Sequence, residues 1–249
     1  MYLKPKKRLG QNFLIDPNII KKIIVATGLS FDDTVLEIGA GRGELTQLIA
    51  PRTKKVYAVE IDSSLCNTLR QRLKDYPHVE IIPQDILKLD LENLDSELKV
   101  IGNIPYYLTT PILRHLLKFR HKISLIYISV QKEFAARILA KVGTKAYGAF
   151  SCFMQYYTKP ENLFIIKRTC FWPVPKVDSC FLKIKIRKKP ILPSDKEKLL
   201  FRVIRQAFSQ RRKTLKNSLK KIIPAEKLPH PNLRPEDLSL RDFINLINS

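Results

Sequence analysis

The stretch Thr34-Val35-Leu36-Glu37-Ile38-Gly39-Ala40-Gly41-Arg42-Gly43 joins an apolar, β-branched run to a glycine-rich turn. Such a run predicts a strand covered on both faces, and glycines let the backbone approach a nucleotide-like ligand with no Cβ in the way. A tight turn between strand and helix needs glycine for its own reasons, so the turn alone names no ligand. Its GxGxG spacing, with Glu37 just upstream, departs from the GxGxxG of dinucleotide-binding turns. An acid-flanked turn of this kind suits a ligand that combines an adenosine with a positive charge.

Outward from the turn, Lys55–Ile61, Val79–Pro83, Leu98–Gly102 and Ser124–Val130 repeat the strand-like texture. Amphipathic segments such as Glu44–Ala50 and Ser63–Tyr76 lie between them, the second opening on a serine suited to an N-cap. Alternation of this kind predicts an open α/β sheet with right-handed crossovers. Leu163–Arg168 and Ser179–Arg187 are expected to pair as an antiparallel edge. After Lys188 the texture changes: Pro190 and Pro193 break the chain, Asp195–Lys221 reads as helical, and a short helix is expected around Leu238–Ile247. The expected division is an α/β domain over residues 1–189 and a small all-helical domain over residues 190–249.

The chain has 249 residues, and its 45 Lys and Arg outweigh 23 Asp and Glu, for a formal net charge of +22. Residues 183–221 hold fifteen basic and two acidic side chains, a net +13, so more than half the excess sits in one segment. Concentration at that level points to a surface that tracks phosphates. Lys6, Lys7 and Arg8 at the N-terminus and Arg211, Arg212 and Lys213 in the tail are the candidate nucleic-acid contacts. Gln206–Lys221 also interleaves Phe208 with Arg and Lys, although Phe208 serves equally well as a core residue of its helix.

Cys66, Cys152, Cys170 and Cys180 form no CxxC, and no histidine pair lies at finger spacing. Neither a metal site nor a disulfide framework is expected, and the cysteines read as small buried residues in a reducing compartment. No apolar run has membrane length, and the basic N-terminus has no hydrophobic segment behind it. A cytoplasmic protein with no membrane partner is expected.

Three further positions fall at strand ends. Glu60 is placed to accept hydrogen bonds from both hydroxyls of a ribose, and Asp85 from an adenine amino group. With the glycine turn (Gly39, Gly41) they describe an S-adenosylmethionine pocket on a Rossmann-like methyltransferase sheet. Asn103-Ile104-Pro105-Tyr106 closes the fourth strand. An exocyclic adenine amine is a poor nucleophile because its lone pair is delocalised into the ring. The Asn103 side-chain oxygen and the Ile104 carbonyl can accept both amine hydrogens and favour a pyramidal nitrogen, with Pro105 stiffening the backbone and Tyr106 stacking on the base. Asn103 is no strong base, so the chemistry is positioning and electrostatics.

With these residues assembled, the chain resembles the small-subunit ribosomal RNA adenine dimethyltransferases, whose bacterial members are linked to kasugamycin sensitivity. The resemblance runs nearly end to end. It rests on Leu9-Gly10-Gln11-Asn12-Phe13-Leu14, Val35–Gly41, Val59-Glu60-Ile61-Asp62, Gly102–Tyr106, Gln131-Lys132-Glu133, Tyr147-Gly148, Phe171–Ser179 and Gln210–Leu215. It implies S-adenosylmethionine as cofactor, S-adenosylhomocysteine as product, and methylation of two adjacent adenosines in a hairpin loop near the 3′ end of small-subunit rRNA. It implies the assembling 30S subunit as partner and a protein acting as a monomer. By position it assigns cofactor contacts to Asn12, Leu14, Gly39, Glu60, Asp85 and Asn103, and makes Phe171 a second aromatic flanking the base. It also implies an N-terminal segment folded over the cofactor and a helical tail that holds RNA. The family often has Asn or Gln after its Asn-x-Pro-Tyr motif, whereas this chain has Tyr107.

Two rivals share much of this pattern. Large-subunit rRNA adenine methyltransferases of the macrolide-resistance type share the pocket, and a non-catalytic nucleic-acid-binding factor can keep the fold. Tyr147-Gly148, Pro175–Ser179 and Gln210–Thr214 favour the small-subunit group, and intact Gly39, Glu60, Asp85, Asn103 and Tyr106 speak against a pure binder. A small-molecule methyltransferase is disfavoured by the +13 segment.

Overall fold

The computed structural model describes residues 4–95, 97–189, 191–210 and 212–248, with only the backbone of residue 7. In chain order the elements are β1 (Phe13–Leu14), α1 (Pro17–Thr27), β2 (Thr34–Ile38), α2 (Thr46–Ile49), β3 (Lys55–Val59), α3 (Ser63–Arg72), β4 (Val79–Ile82), β5 (Leu98–Asn103), α4 (Thr109–Lys118) and β6 (Ile123–Gln131). There follow α5 (Lys132–Ile138), α6 (Ala149–Tyr157), β7 (Thr158–Ile166), β8 (Phe171–Trp172), β9 (Ser179–Ile186), α7 (Ser194–Ser209), α8 (Leu215–Leu219) and α9 (Leu240–Leu246).

Seven strands form one sheet in the order β4-β3-β2-β5-β6-β9-β7. The first five are mutually parallel and β9 runs antiparallel to β6. Their apolar content explains this: Val35, Leu36, Val56, Ala58, Val100, Ile101, Ile126 and Ile128 have no exposed surface, as strands covered by helices on both faces require. Chain order places β2 centrally, with β3 on one side and β5 on the other. The sequence therefore reverses direction across the sheet at β2, the place where open α/β sheets form a crevice at their carboxyl ends. The two expected edge segments, as β7 and β9, are neighbours at the far edge.

Local chemistry sets the helix starts. Asp16 caps α1 by accepting from the Asn18 and Ile19 N–H groups, and Gly28, at φ 55°, ends it. The start of α3 differs from the sequence reading. Asp62, not Ser63, is the N-cap, accepting from the Ser64 N–H, because a carboxylate one residue earlier reaches the same orphan donors. The expected helix over 195–221 is two helices, α7 and α8, separated by Gln210–Thr214. Ser239 caps α9 in a reciprocal box with Asp242.

The domain division also differs from the expected single cut near Lys189. The chain divides into one unit of Met1–Lys132 with Glu161–Ile186 and a second of Glu133–Pro160 with Arg187–Ser249. The physical reason lies in α6, whose Cys152 and Tyr156, with Tyr147 just before it, are buried in one cluster with Leu200, Val203, Ile204 and Phe243. The helical unit thus draws its core from both sides of β7 to β9 in sequence. Phe208 packs against this cluster and meets Tyr147 and Phe243 ring to ring, so it is a core residue of its helix.

Candidate active site

A cavity of about 210 Å³ opens at the carboxyl ends of β2 to β5. The turn after β2 is built by backbone bonds: the Gly39 and Ala40 N–H groups both donate to the Val59 carbonyl, which ties it to the end of β3. Gly39 sits at φ 72° and Gly41 at φ 60°. A Cβ on Gly39 would stand 3.7 Å from the Asn103 carbonyl oxygen, and one on Gly41 would touch the Phe13 ring at 3.4 Å. Glycine at these two places keeps the backbone bare and the cavity open.

Glu60 is 5% exposed and holds this turn. Its Oε2 accepts from the Gly41 N–H at 2.9 Å and its Oε1 from the Asp62 N–H at 2.9 Å. Burial raises its pKa above the ordinary value, while those two backbone bonds pull the other way. Each carboxylate oxygen keeps a second lone pair for a ligand hydroxyl. Half-buried Asp85 caps the short turn after β4, its Oδ1 accepting from the Leu87 N–H at 2.9 Å.

Asn103 and Tyr106 are held by groups that bring polar atoms into register with them. Asn103 stands opposite Ser129 in the β5–β6 ladder. The Ser129 hydroxyl donates to Asn103 Oδ1 at 2.6 Å, and Asn103 Nδ2 donates to the Asn12 carbonyl at 2.8 Å. The amide is thereby fixed with its oxygen oriented and one acceptor lone pair left over. The Tyr106 hydroxyl hydrogen-bonds Ser179 Oγ at 2.8 Å, and burial raises its pKa. Both Asn103 and Tyr106 line the cavity, as do Ile104 and Pro105.

The N-terminal segment forms another wall: Leu9, Gly10, Gln11, Asn12 and Phe13 all line the cavity. Lys6 Nζ meets Asp62 Oδ1 at 2.7 Å, and the Gln11 amide donates to Asp62 Oδ2 at 3.4 Å. Arg42 lies over the Phe13 ring at 4.5 Å. The cavity lining includes the carboxylates of Glu60 and Asp85 and, among the described residues, no lysine or arginine. Such a lining repels phosphate and suits a positively charged nucleoside, which is what S-adenosylmethionine is.

The model of a family described as ribosomal RNA adenine dimethylase matches residues 2–240 of this chain. The chain belongs to the ribosomal RNA adenine dimethylase family. It is 42% identical to the ribosomal RNA small subunit methyltransferase A of Caldanaerobacter subterraneus subsp. tengcongensis, over 99% of this chain and 97% of that one. It is likewise 42% identical to the Geobacillus thermodenitrificans protein of the same name, over 98% and 90% of the two chains. Among solved structures it is similar to a dimethyladenosine transferase from Plasmodium falciparum, with TM-score 0.83, 28% identity, and 94% and 95% of the chains covered. The 23S rRNA methyltransferase ErmE is also similar, at TM-score 0.76 and 25% identity, covering 95% and 100%.

Within this family member the structure brings most of the sequence-derived residues together. Asn12, Gly39, Gly41, Glu60, Asp85, Asn103, Ile104 and Tyr106 share one cavity. Leu14 and Phe171 stand apart from it. They face each other across the β1–β8 ladder and are buried in the core, Leu14 at 5% and Phe171 at 0% exposure. Phe171, which the resemblance makes a second aromatic flanking the base, has no exposed surface in this structure and packs in the core. Among the basic candidates, Lys6 pairs with Asp62, Arg8, Arg212 and Lys213 are exposed, Arg211 lies outside the described residues, and the Lys7 side chain does too.

Sequence reasoning flagged Tyr107 only as a departure from the family motif, and gave no role to Gln11, Gln84 or the two serines that orient Asn103 and Tyr106. Ser129 carried a signal: it is the one aliphatic hydroxyl in the run Ile126-Tyr127-Ile128-Ser129-Val130. Its partner is visible only once β5 and β6 are set in register. Tyr107, 60% exposed, lines the cavity and covers Gly10, where a Cβ would lie 2.7 Å from the tyrosine ring.

Proposed function

We propose that this chain dimethylates the exocyclic amines of two adjacent adenosines in the 3′-terminal hairpin loop of small-subunit rRNA, acting as a cytoplasmic monomer on the assembling 30S subunit. The observation that carries the reading is Asn103, clamped between Ser129 and Asn12 at the wall of an anionic, glycine-lined nucleoside cavity. S-adenosylmethionine, when bound, supplies an electrophilic methyl group on a sulfonium sulfur. Glu60 is placed to accept from the ribose hydroxyls and Asp85 from the adenine amine of that cofactor, while Gly39 and Gly41 admit its body.

The target amine meets the remaining lone pair of Asn103 Oδ1 and the Ile104 carbonyl. Accepting its two hydrogens there concentrates the nitrogen lone pair toward the methyl group. With the cofactor bound, its methyl group would pass to that nitrogen and S-adenosylhomocysteine would be the product. Asn103 Oδ1 and the carbonyl stabilise the positive charge that develops on nitrogen, and the surplus proton then passes to solvent. Tyr106, tethered by Ser179, supplies the face on which the extruded adenine stacks.

The helical unit's exposed cations, including Lys198, Arg202, Arg205, Arg212, Lys213 and Lys216, are suited to the RNA backbone. Residues 190–249 would accordingly provide most of the grip. Among the described residues, no helix is long and apolar enough to cross a membrane.

Labelled-methyl transfer to immature small subunits and to large-subunit rRNA, offered side by side with the product nucleoside identified, tests the proposal. Dimethyladenosine on small-subunit RNA alone is the expected result. Label on large-subunit RNA moves the chain toward the activity named for ErmE, and no label on either favours a binding factor.

A further inference from the structure

β1 and β8 are two residues each, yet their register sorts four side chains by face. Opposed residues of an antiparallel ladder project to the same side, and consecutive residues to opposite sides. Leu14 and Phe171 form one opposed pair, and both enter the core. Phe13 and Trp172 form the other, on the opposite side, where Phe13 lines the cavity. Trp172 is 39% exposed, and Val174 after it is 56% exposed. Along the chain, Lys167 and Arg168 precede this indole and Lys176 follows it, all three exposed.

An indole face with cations before and after it is how single-stranded nucleic acid is held without base readout: the ring takes a base and the cations take phosphates. An apolar protein partner has no use for three flanking positive charges, whereas RNA uses both parts. We propose that Trp172 is a stacking platform for an RNA base lying outside the cavity, next in the strand to the adenosine within it. The inference rests on the methyltransferase reading above and assigns the neighbouring nucleotide, not the methylated one, to this side chain.

Trp172 is the chain's only tryptophan, so its emission reports on this position alone. The full chain, saturated with S-adenosylhomocysteine, is titrated with a short single-stranded oligoadenylate while the anisotropy of a labelled copy reports binding. The expected result is quenching of about twofold or more that tracks the anisotropy. Trp172→Phe keeps a π-face and is expected to bind within about threefold of wild type. Trp172→Leu keeps apolar volume without that face and is expected to bind about tenfold more weakly or worse. A merely structural role for the indole spares both variants. In methyl transfer to immature small subunits, Trp172→Leu is expected to raise KM for the subunits with kcat within about twofold. Emission unchanged on bound RNA, Trp172→Leu binding like wild type, or no oligoadenylate bound by wild type each overturns the stacking site. Methyl transfer by wild type to small subunits is scored separately, so the enzyme reading stands or falls without it.

Discussion

Ser129 Oγ donates a 2.6 Å hydrogen bond to the side-chain oxygen of Asn103, across neighbouring strands in register. The bond decides which end of the amide faces the amine: with Oδ1 held by Ser129 and Nδ2 by Asn12, the amide cannot turn its donors toward the substrate. Removing one such bond costs on the order of 1 kcal/mol, which as lost alignment in the transition state is about a five- to tenfold fall in rate. Ser129→Ala is therefore expected to lower kcat by about that factor, with KM for S-adenosylmethionine unchanged. Asn103→Ala loses the acceptor itself, and about a hundredfold fall is expected with the melting temperature nearly kept. Single-turnover methyl transfer distinguishes them; equal rates for Ser129→Ala and wild type would show that the serine does not orient the amide.

The parallel sheet was legible because β-branched runs and glycine turns are local signals, and four of the strand ends carry the cavity. The β1–β8 ladder was not, since two residues per strand give no periodicity. Alternation within it sends Phe171 inward and Trp172 outward, a difference that the motif alone does not carry. The helical unit was half legible. Residues 190–249 announced themselves by proline and charge, whereas α6 and the turn before it join them through Tyr147, Cys152 and Tyr156, whose burial is a tertiary fact. Lys6 shows the same limit on the charge argument, because its cation is spent on Asp62.

Glu37 gives the stability a pH dependence of known sign. It is 2% exposed in β2, and burial pushes its carboxyl up to about 8 from 4.5. Between those values the folded chain holds a proton that the unfolded chain has released. The contribution is present in full below about 4.5 and is lost as pH rises through about 8. Glu37→Gln removes this titration, so the melting temperature of the variant should gain on wild type by roughly 5 °C or more between pH 5 and pH 9. Two melting curves running parallel over that interval would refute the assignment.

Lys6 was a candidate phosphate contact and is instead a tie between the N-terminal wall of the cavity and Asp62. Lys6→Ala is expected to weaken S-adenosylmethionine binding by up to about fivefold, the range for a pair with one partly exposed member. Calorimetric titration of the cofactor reads this directly. The salt dependence of RNA binding should stay as in wild type, and a shallower slope would return Lys6 to the RNA surface.

Arg212 and Lys213 are exposed in the segment between α7 and α8, within the stretch that concentrates the positive charge. Each phosphate neutralised releases condensed counterions, so the logarithm of affinity falls with the logarithm of salt by about 0.7 per contact on single strands and about 0.9 on duplex. Replacing both residues with alanine should therefore weaken RNA binding most at low salt and make the slope shallower by about 1.4 to 1.8. Cofactor affinity should not change, since neither side chain lines the cavity. Anisotropy titrations of the 3′-terminal hairpin at several salt concentrations measure the slope. A slope equal to that of wild type would place the RNA on another face of the protein, whatever happened to affinity at one salt.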